Sequence, residues 1–126
     1  MAVTEARRQE RSPSECHRMG EVLGRVGDKW TVQVIVELGE GPHRFNELRR
    51  AIAGVSQRML TLTLKNLERD GLVSRTVTPS VPPRVDYALT DLGRSMLAPV
   101  QALGQWAVAH IPQMDAARQR YDDSER

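Results

Sequence analysis

The stretch from Ser56 to Arg69 carries hydrogen-bonding and cationic side chains among leucines that recur every three or four residues. The recurring leucines form the inward stripe of a predicted helix, and they are Leu60, Leu64 and Leu67. At about 100° per residue, Arg58, Lys65 and Arg69 share the outward face of that helix. Ser56 is a natural N-cap, and Gly71 is suited to the position just after the helix.

The outward side chains near the start of this helix have the chemistry that reads base edges in the major groove of DNA. Arg58 can bind guanine through two hydrogen bonds, Gln57 can read adenine, and Leu62 can contact a thymine methyl group. Five side chains are therefore predicted to meet bases: Ser56, Gln57, Arg58, Thr61 and Leu62. Lys65 and Arg69 are predicted to meet phosphates. Taken alone, such a cationic face is usually only solvated surface. Whether it binds DNA must therefore be judged from the elements predicted around it.

The elements around this helix follow the order of a winged helix-turn-helix. A shorter helix begins after Arg44, and Gly54 lies in the turn between the two helices. The β-branched segment 72–77 and the alternating segment 85–89 predict two strands of a hairpin. The loop between them, 78–83, contains three prolines and would protrude at low entropic cost. This order favours double-stranded DNA as the partner.

Positive charge is concentrated in the same region. Residues 44–90 carry eight cations and four carboxylates, a net charge of +4, whereas the whole chain has a net charge of +2. Arg44 at the start of the region is counted among the predicted DNA contacts. Arg84 at the base of the wing is expected to reach the backbone or an adjacent minor groove. Arg75 on the first strand either supports Arg84 or is ordinary solvated strand surface.

Two helices are predicted before this region. Ser12 and Glu15 form a capping signal for a first amphipathic helix, which Gly27 ends. A second helix follows Asp28 and is apolar on most sides, which is typical of a central core element. After the wing, Thr90 is expected to cap a long final helix.

The final helix is predicted to run from Thr90 to Trp106, with a kink at Pro99. This helix and the first one together offer more apolar surface than a small three-helix core can cover. Self-association is favoured over a monomer whose terminal arms fold over that surface, because both arms are polar. The predicted dimer interface consists of apolar side chains from both helices: Met19, Val22, Leu23, Leu97, Val100, Leu103 and Trp106.

The chain is long enough for one modest domain. The predicted organisation is a flexible arm at 1–11, a winged helix-turn-helix domain with dimerisation helices at 12–112, and a polar tail at 113–126 that is expected to fray. The fold class is therefore mainly α with a small β-hairpin wing. No apolar run approaches the roughly 18 residues that span a bilayer, and the N-terminal residues are charged. A cytoplasmic location is expected.

Cys16 is the chain's one cysteine, and it falls in the first turn of the first helix. The dipole of the helix N-terminus favours a thiolate there, His17 and Arg18 add to this effect, and Glu15 and Glu21 oppose it. With no second cysteine, a disulfide would join two subunits or trap a small thiol. The alternative is that Cys16 is a small apolar residue on the buried side of its helix.

Five segments of the chain carry a resemblance to a known family. They are GDKW at 27–30, RFNELRR at 44–50, VSQRML at 55–60, LERDGLVSR at 67–75 and VPPRVDYALT at 81–90. In this order they are similar to the HxlR-type transcription regulators, a bacterial winged-helix family related to the MarR type. The resemblance covers about Cys16 to Trp106.

The resemblance implies a homodimeric regulator that binds a pseudo-palindromic operator, with the first and last helices at the dimer interface. It assigns the recognition helix to Ser56–Arg69 and the wing to Val77–Val85. In some members of the family, a cysteine at the position of Cys16 senses oxidants or electrophiles. Here His17 stands where a proline usually follows that cysteine.

Two other classes of function remain open from the residues alone. A winged helix that binds protein would need a neutral or apolar outward face, which the three cations of the predicted recognition helix oppose. A thiol enzyme at Cys16 would need a nearby base or second cysteine, and the sequence offers only His17. Binding of single-stranded RNA is disfavoured further, because the candidate stacking residues fall at core-periodic positions: Trp30, Phe45 and Tyr87.

No metal or cofactor is expected. The histidines His43 and His110 have no ligand spacing around them. The glycines at 20, 24 and 27 lack the order and the preceding strand of a phosphate-binding loop. Nothing in the sequence identifies a small-molecule effector, the operator, the regulated gene, or the choice between activation and repression.

Overall fold

The computed structural model describes residues 12–125, so the arm expected at 1–11 lies outside the described residues. Within the described range the elements follow the predicted order of helices and hairpin. They are α1 (Pro13–Val26), α2 (Lys29–Leu38), α3 (Phe45–Ala51), α4 (Gln57–Arg69), β1 (Val73–Thr78), β2 (Arg84–Leu89), α5 (Asp91–Arg94) and α6 (Leu97–Ser124).

The helix starts are the ones that the capping residues predict. The Oγ of Ser12 accepts a hydrogen bond from the backbone N–H of Glu15 at 3.1 Å, and the Oγ of Ser56 accepts one from Met59 at 3.0 Å. Asp28 caps α2 in the same way. Each contact satisfies a backbone donor that has no partner inside its own helix.

The core lies where α2, α3 and α4 meet the inner end of the hairpin. Its central side chains are fully or almost fully buried: Val34, Ile35, Leu38, Leu48, Ile52, Leu60, Leu64 and Leu67. The inward leucine stripe of α4 is therefore confirmed. Trp30, Phe45 and Tyr87 pack against this cluster, as their periodicity indicates.

The wing is a two-stranded antiparallel hairpin in which Thr78 is opposite Arg84. The connecting loop, 79–83, contains the cis peptide bond Val81–Pro82. The strand β2 is also joined to the segment before α3, because His43 and Tyr87 exchange backbone hydrogen bonds of 2.9 and 2.8 Å. This bridge fixes the start of the helix-turn-helix relative to the wing.

The prediction of a single long helix after Thr90 is wrong in one respect, because the structure has two helices there, α5 and α6. Thr90 caps α5 as predicted, with its Oγ accepting from the N–H of Gly93 at 3.1 Å. The interruption falls at Ser95 and Met96. Pro99 has no N–H to donate to the carbonyl of Ser95, and its ring would clash with that carbonyl in a continuous helix. The helix is divided just before Pro99, which lies in the first turn of α6, where prolines are tolerated, whereas Pro112 is accommodated inside α6.

The fraying expected after Pro112 is also wrong, because α6 continues to Ser124. The segment that follows the proline, residues 115–120, is rich in alanine and arginine, which favour helix. A hydrogen bond of 3.0 Å from Gln119 to Asp123 joins successive turns. Long as α6 is, no helix among residues 12–125 has the length and apolar content needed to cross a membrane.

The two faces of α4 should respond differently to truncation. Leu60→Ala should lower the free energy of unfolding by about 2–5 kcal/mol, because it leaves a cavity in a packed core. Leu62→Ala, two residues along the same helix, should change it by less than about 0.5 kcal/mol, because that side chain is 50% exposed. Urea titrations of both variants measure the difference. Equal losses would contradict the assigned orientation of α4.

Candidate nucleic-acid interface

The outward face of α4 is a continuous exposed surface. Arg58, Lys65 and Arg69 are exposed, and Leu62 lies among them. Gln57 in the first turn is exposed as well, whereas Thr61 is half-buried at the edge of this face. The structure thus brings together the side chains that the sequence assigned to bases and phosphates, with Thr61 more enclosed than the others.

Ser56 has a structural role in addition to its predicted contact with DNA. Its Oγ accepts the hydrogen bond that caps α4. The residue is also exposed, so its hydroxyl hydrogen is free to point outward. Capping and an outward hydrogen bond are therefore compatible for this side chain.

Arg75 and Arg84 project from opposite faces of the hairpin. The prediction that Arg75 supports Arg84 is therefore wrong. Arg75 is paired with Tyr87, and Arg84 is paired with Thr78, three residues farther along β1. Because side chains alternate between the faces of a strand, this odd separation places the two arginines on different sides.

Arg75 lies beside the recognition-helix candidate. It lines a groove of about 380 Å³ together with Lys65 and Glu68 of α4. Two cations and one carboxylate thus border this groove, and the cations are placed along the edge where α4 meets the wing. Arg75 is exposed and lies next to Lys65, so its contact with DNA stays a prediction.

Arg84 lies at the base of the wing and faces α3. Its Nε donates to both carboxylate oxygens of Asp86, at 3.1 and 3.4 Å. The side chain lines a groove of about 870 Å³ that it shares with Arg44, Asn46 and Arg50. Arg44 precedes α3, and its backbone N–H donates to Glu47 at 3.0 Å, while its side chain is exposed.

Asn46 and Arg50 are site candidates that the sequence reasoning missed. Both are exposed, and they lie four residues apart on α3. The signal was present in the sequence, because residues four apart share one face of a helix. The first helix of a helix-turn-helix crosses the DNA backbone, so the outward polar face of α3 is a candidate part of the same interface.

A contact between α1 and the end of α4 could not be predicted from the sequence either. The Nε of Arg25 is 2.8 Å from Oδ2 of Asp70, and both side chains are about one-third exposed. The pair joins residues that are 45 positions apart. Through it, the first helix is attached directly to the C-terminus of the helix that carries the cationic face.

The predicted dimer surface divides into exposed and buried members. On α1, Met19, Val22 and Leu23 are exposed, and this helix has no buried residue. On α6, Leu103 and Trp106 are 59% and 56% exposed.

Two of the predicted interface residues are placed differently. Val100 is only 4% exposed, so its assignment to a surface between subunits is wrong within this structure. Leu97 is half-buried and packs against the protomer's own core, close to Gly39. The reason is the break before α6, which turns the first residues of that helix back onto α2. Apolar side chains farther along α6 are exposed instead: Val108, Ile111, Met114 and Tyr121.

Cys16 is exposed, so it is not packed inside its own protomer. The two side chains that were expected to support a thiolate, His17 and Arg18, both contact the carboxylate of Glu21. His17 Nε2 lies 3.0 Å from Glu21, and Arg18 binds the other carboxylate oxygen of the same residue.

Two short helices joined by a turn, with an exposed cationic second helix and an adjoining hairpin, define a winged helix-turn-helix protein. The HxlR-like helix-turn-helix family matches residues 25–115 of the chain. The protein belongs to this family of transcription regulators.

The chain is similar to proteins described as regulators across most of its length. It is 46% identical over 98 residues to the uncharacterized HTH-type transcriptional regulator YtfH of Escherichia coli K12, which covers 78% of each chain. Among solved structures, the transcriptional regulator ytfH from Salmonella typhimurium matches with a TM-score of 0.72 and 44% identity, over 80% of this chain and 90% of the other. The redox regulator HypR in its reduced form matches with a TM-score of 0.72 and 36% identity, over 79% and 98%.

The cap of α4 yields a test of how the N-terminal end of this helix is stabilised. Ser56→Ala should cost about 1 kcal/mol of stability, because the N–H of Met59 loses its acceptor. Ser56→Asp should keep the stability, since aspartate is an equally good N-cap. Thermal unfolding of both variants measures this. A destabilised Ser56→Asp would contradict the capping role.

Proposed function

We propose that this protein is a sequence-specific regulator that binds a pseudo-palindromic operator in double-stranded DNA as a homodimer, with α4 as its recognition helix. The observation that carries the proposal is the division of α4 into a buried leucine stripe and an exposed face with Arg58, Leu62 and Lys65. The buried stripe holds the helix rigidly, and the exposed face has the chemistry for bases and phosphates.

The residues divide into two roles in this proposal. Gln57, Arg58 and Leu62, with Ser56 and Thr61, contact base edges near the N-terminal end of α4. The remaining cations contact the backbone, and they are Arg44, Lys65, Arg69, Arg75 and Arg84. The first set decides which sequence is bound, and the second supplies most of the salt-dependent affinity.

The homodimer is supported by the apolar side chains that the protomer leaves in solvent. Met19, Val22 and Leu23 on α1 and Leu103 and Trp106 on α6 are too many to be isolated surface residues. Two-fold pairing through these helices would set two recognition helices about 34 Å apart, one turn of DNA. Two half-site contacts on one rigid assembly give an affinity that neither has alone.

The two roles on α4 predict two different phenotypes. Arg58→Ala should lose about 1–3 kcal/mol on the cognate duplex and relax the preference at one base pair in each half-site. Lys65→Ala should weaken binding to all duplexes alike and flatten the plot of log affinity against log salt by about one unit per protomer.

Fluorescence anisotropy with the duplex upstream of the protein's own gene, and with a shuffled duplex, measures both effects. Arg118→Ala on α6 is the control, because it removes an exposed cation far along the chain from the interface. Equal binding of both duplexes by the wild-type protein would refute the proposal of a sequence-specific regulator.

We also propose that oxidation of Cys16 controls DNA binding. The exposure of the thiol supports this, and so does the similarity to the redox regulator HypR. Two Cys16 thiols from two subunits would lose two protons and two electrons to an oxidant such as diamide and form one disulfide. The Arg25–Asp70 contact offers a direct connection from α1 to α4.

Cys16→Ser separates sensing from folding. Diamide should convert the wild-type protein into a covalent dimer on a non-reducing gel and change its affinity for the cognate duplex, and dithiothreitol should reverse both effects. Cys16→Ser should bind the duplex with the affinity of the reduced wild type. Diamide should neither change that affinity nor produce a covalent dimer of this variant. A wild-type affinity that diamide leaves unchanged would contradict the sensor.

A further inference from the structure

The groove between α3 and the base of the wing carries a charge pattern that the recognition helix does not account for. Three arginines line it, and they are Arg44, Arg50 and Arg84. The one carboxylate among the lining residues, Glu47, accepts a hydrogen bond from the backbone N–H of Arg44. The lining is therefore cationic; Glu47 is directed to the start of α3, and Asp86 outside the lining pairs with Arg84.

We propose that this groove binds a phosphodiester of the DNA backbone, with Arg50 as its principal ligand. The proposal rests on the DNA-binding function proposed above, and it adds Arg50 and Asn46 of α3 to the backbone contacts proposed there for Arg44 and Arg84. Arg50 and Asn46 are one helical turn apart on the same face of α3, so a guanidinium and an amide approach the groove from one side. Both are donors that suit phosphate oxygens.

Arg84 approaches the groove from the wing. Its Nε is occupied by Asp86, at 3.1 Å from Oδ2. That contact fixes the plane of the guanidinium and leaves its two terminal nitrogens outside the ion pair. A planar guanidinium held in this way is suited to a phosphate, which it can bind through two parallel hydrogen bonds.

The groove fits a polymer backbone better than a free anion. Its arginines are all exposed, so a single small anion would compete with water and salt for each of them. A duplex that already occupies α4 brings a phosphate to the groove without a separate association cost, and neutralising that phosphate releases counterions. The position also agrees with the path of DNA past the first helix of a helix-turn-helix.

The two adjacent arginines of α3 provide a matched pair of variants. Arg49 and Arg50 are both exposed in the last turn of this helix, but only Arg50 lines the groove. Arg50→Ala should reduce the slope of log affinity against log salt by about 0.9 per protomer, which is about two units for a dimer, and leave the ratio of cognate to shuffled duplex unchanged. Arg49→Ala should leave the slope near that of the wild type.

Ethylation interference then locates the contact. In the wild-type complex, ethylation of one phosphate in each half-site should interfere with binding. Ethylation of the same phosphate should no longer affect binding by Arg50→Ala.

The same slope for Arg50→Ala and Arg49→Ala would overturn the groove proposal while leaving the specific regulator intact. Inorganic phosphate, added at constant ionic strength, should not compete for the duplex; competition that Arg50→Ala abolishes would also overturn the proposal, since it would indicate a small-anion site. Loss of duplex discrimination in the wild type would instead refute the proposed function.

Discussion

The burial of Leu60, Leu64 and Leu67 against α2 is the interaction on which the rest of the molecule depends. An α-helix with one buried stripe has its opposite face determined, because 3.6 residues per turn leave no freedom to rotate the helix without exposing leucines. The same packing that stabilises the domain therefore orients Arg58 and Lys65 toward solvent. Replacing these leucines would destabilise the fold. It would also remove the packing that directs the proposed DNA-contacting side chains of α4 outward.

The wing is positioned by a second, independent constraint. The backbone bridge between His43 and Tyr87 joins β2 to the segment that leads into α3. Alternation of side chains along the strands then divides the wing's cations between two grooves, with Arg75 beside α4 and Arg84 beside α3. Backbone pairing alone thus produces two cationic edges, one beside α4 and one beside α3, which extends the proposed interface beyond α4 itself.

Local signals in the sequence predicted most of this architecture, while contacts between distant residues were missed. Caps such as Ser56 and the leucine stripe of α4 act over one or two helical turns, so spacing alone identifies them. The break before α6 was not predicted. Pro99 cannot donate a backbone hydrogen bond to the carbonyl of Ser95, so the effect of the proline falls four residues before it. The Arg25–Asp70 pair and the buried position of Val100 depend on how helices meet in space, which periodicity does not encode. The exposed face of α3 was overlooked although its spacing was readable.

We propose above all that two copies of α4 enter successive major grooves on the same side of a duplex, and this is the claim to test first. Dimethyl sulfate methylates guanine N7 in the major groove, so a methylation-protection footprint on the cognate duplex tests the claim directly. Protected guanines should form two clusters about 10 base pairs apart, centred on a pseudo-two-fold axis. A single cluster, or binding that leaves every guanine N7 reactive on a duplex with guanines throughout, would contradict it.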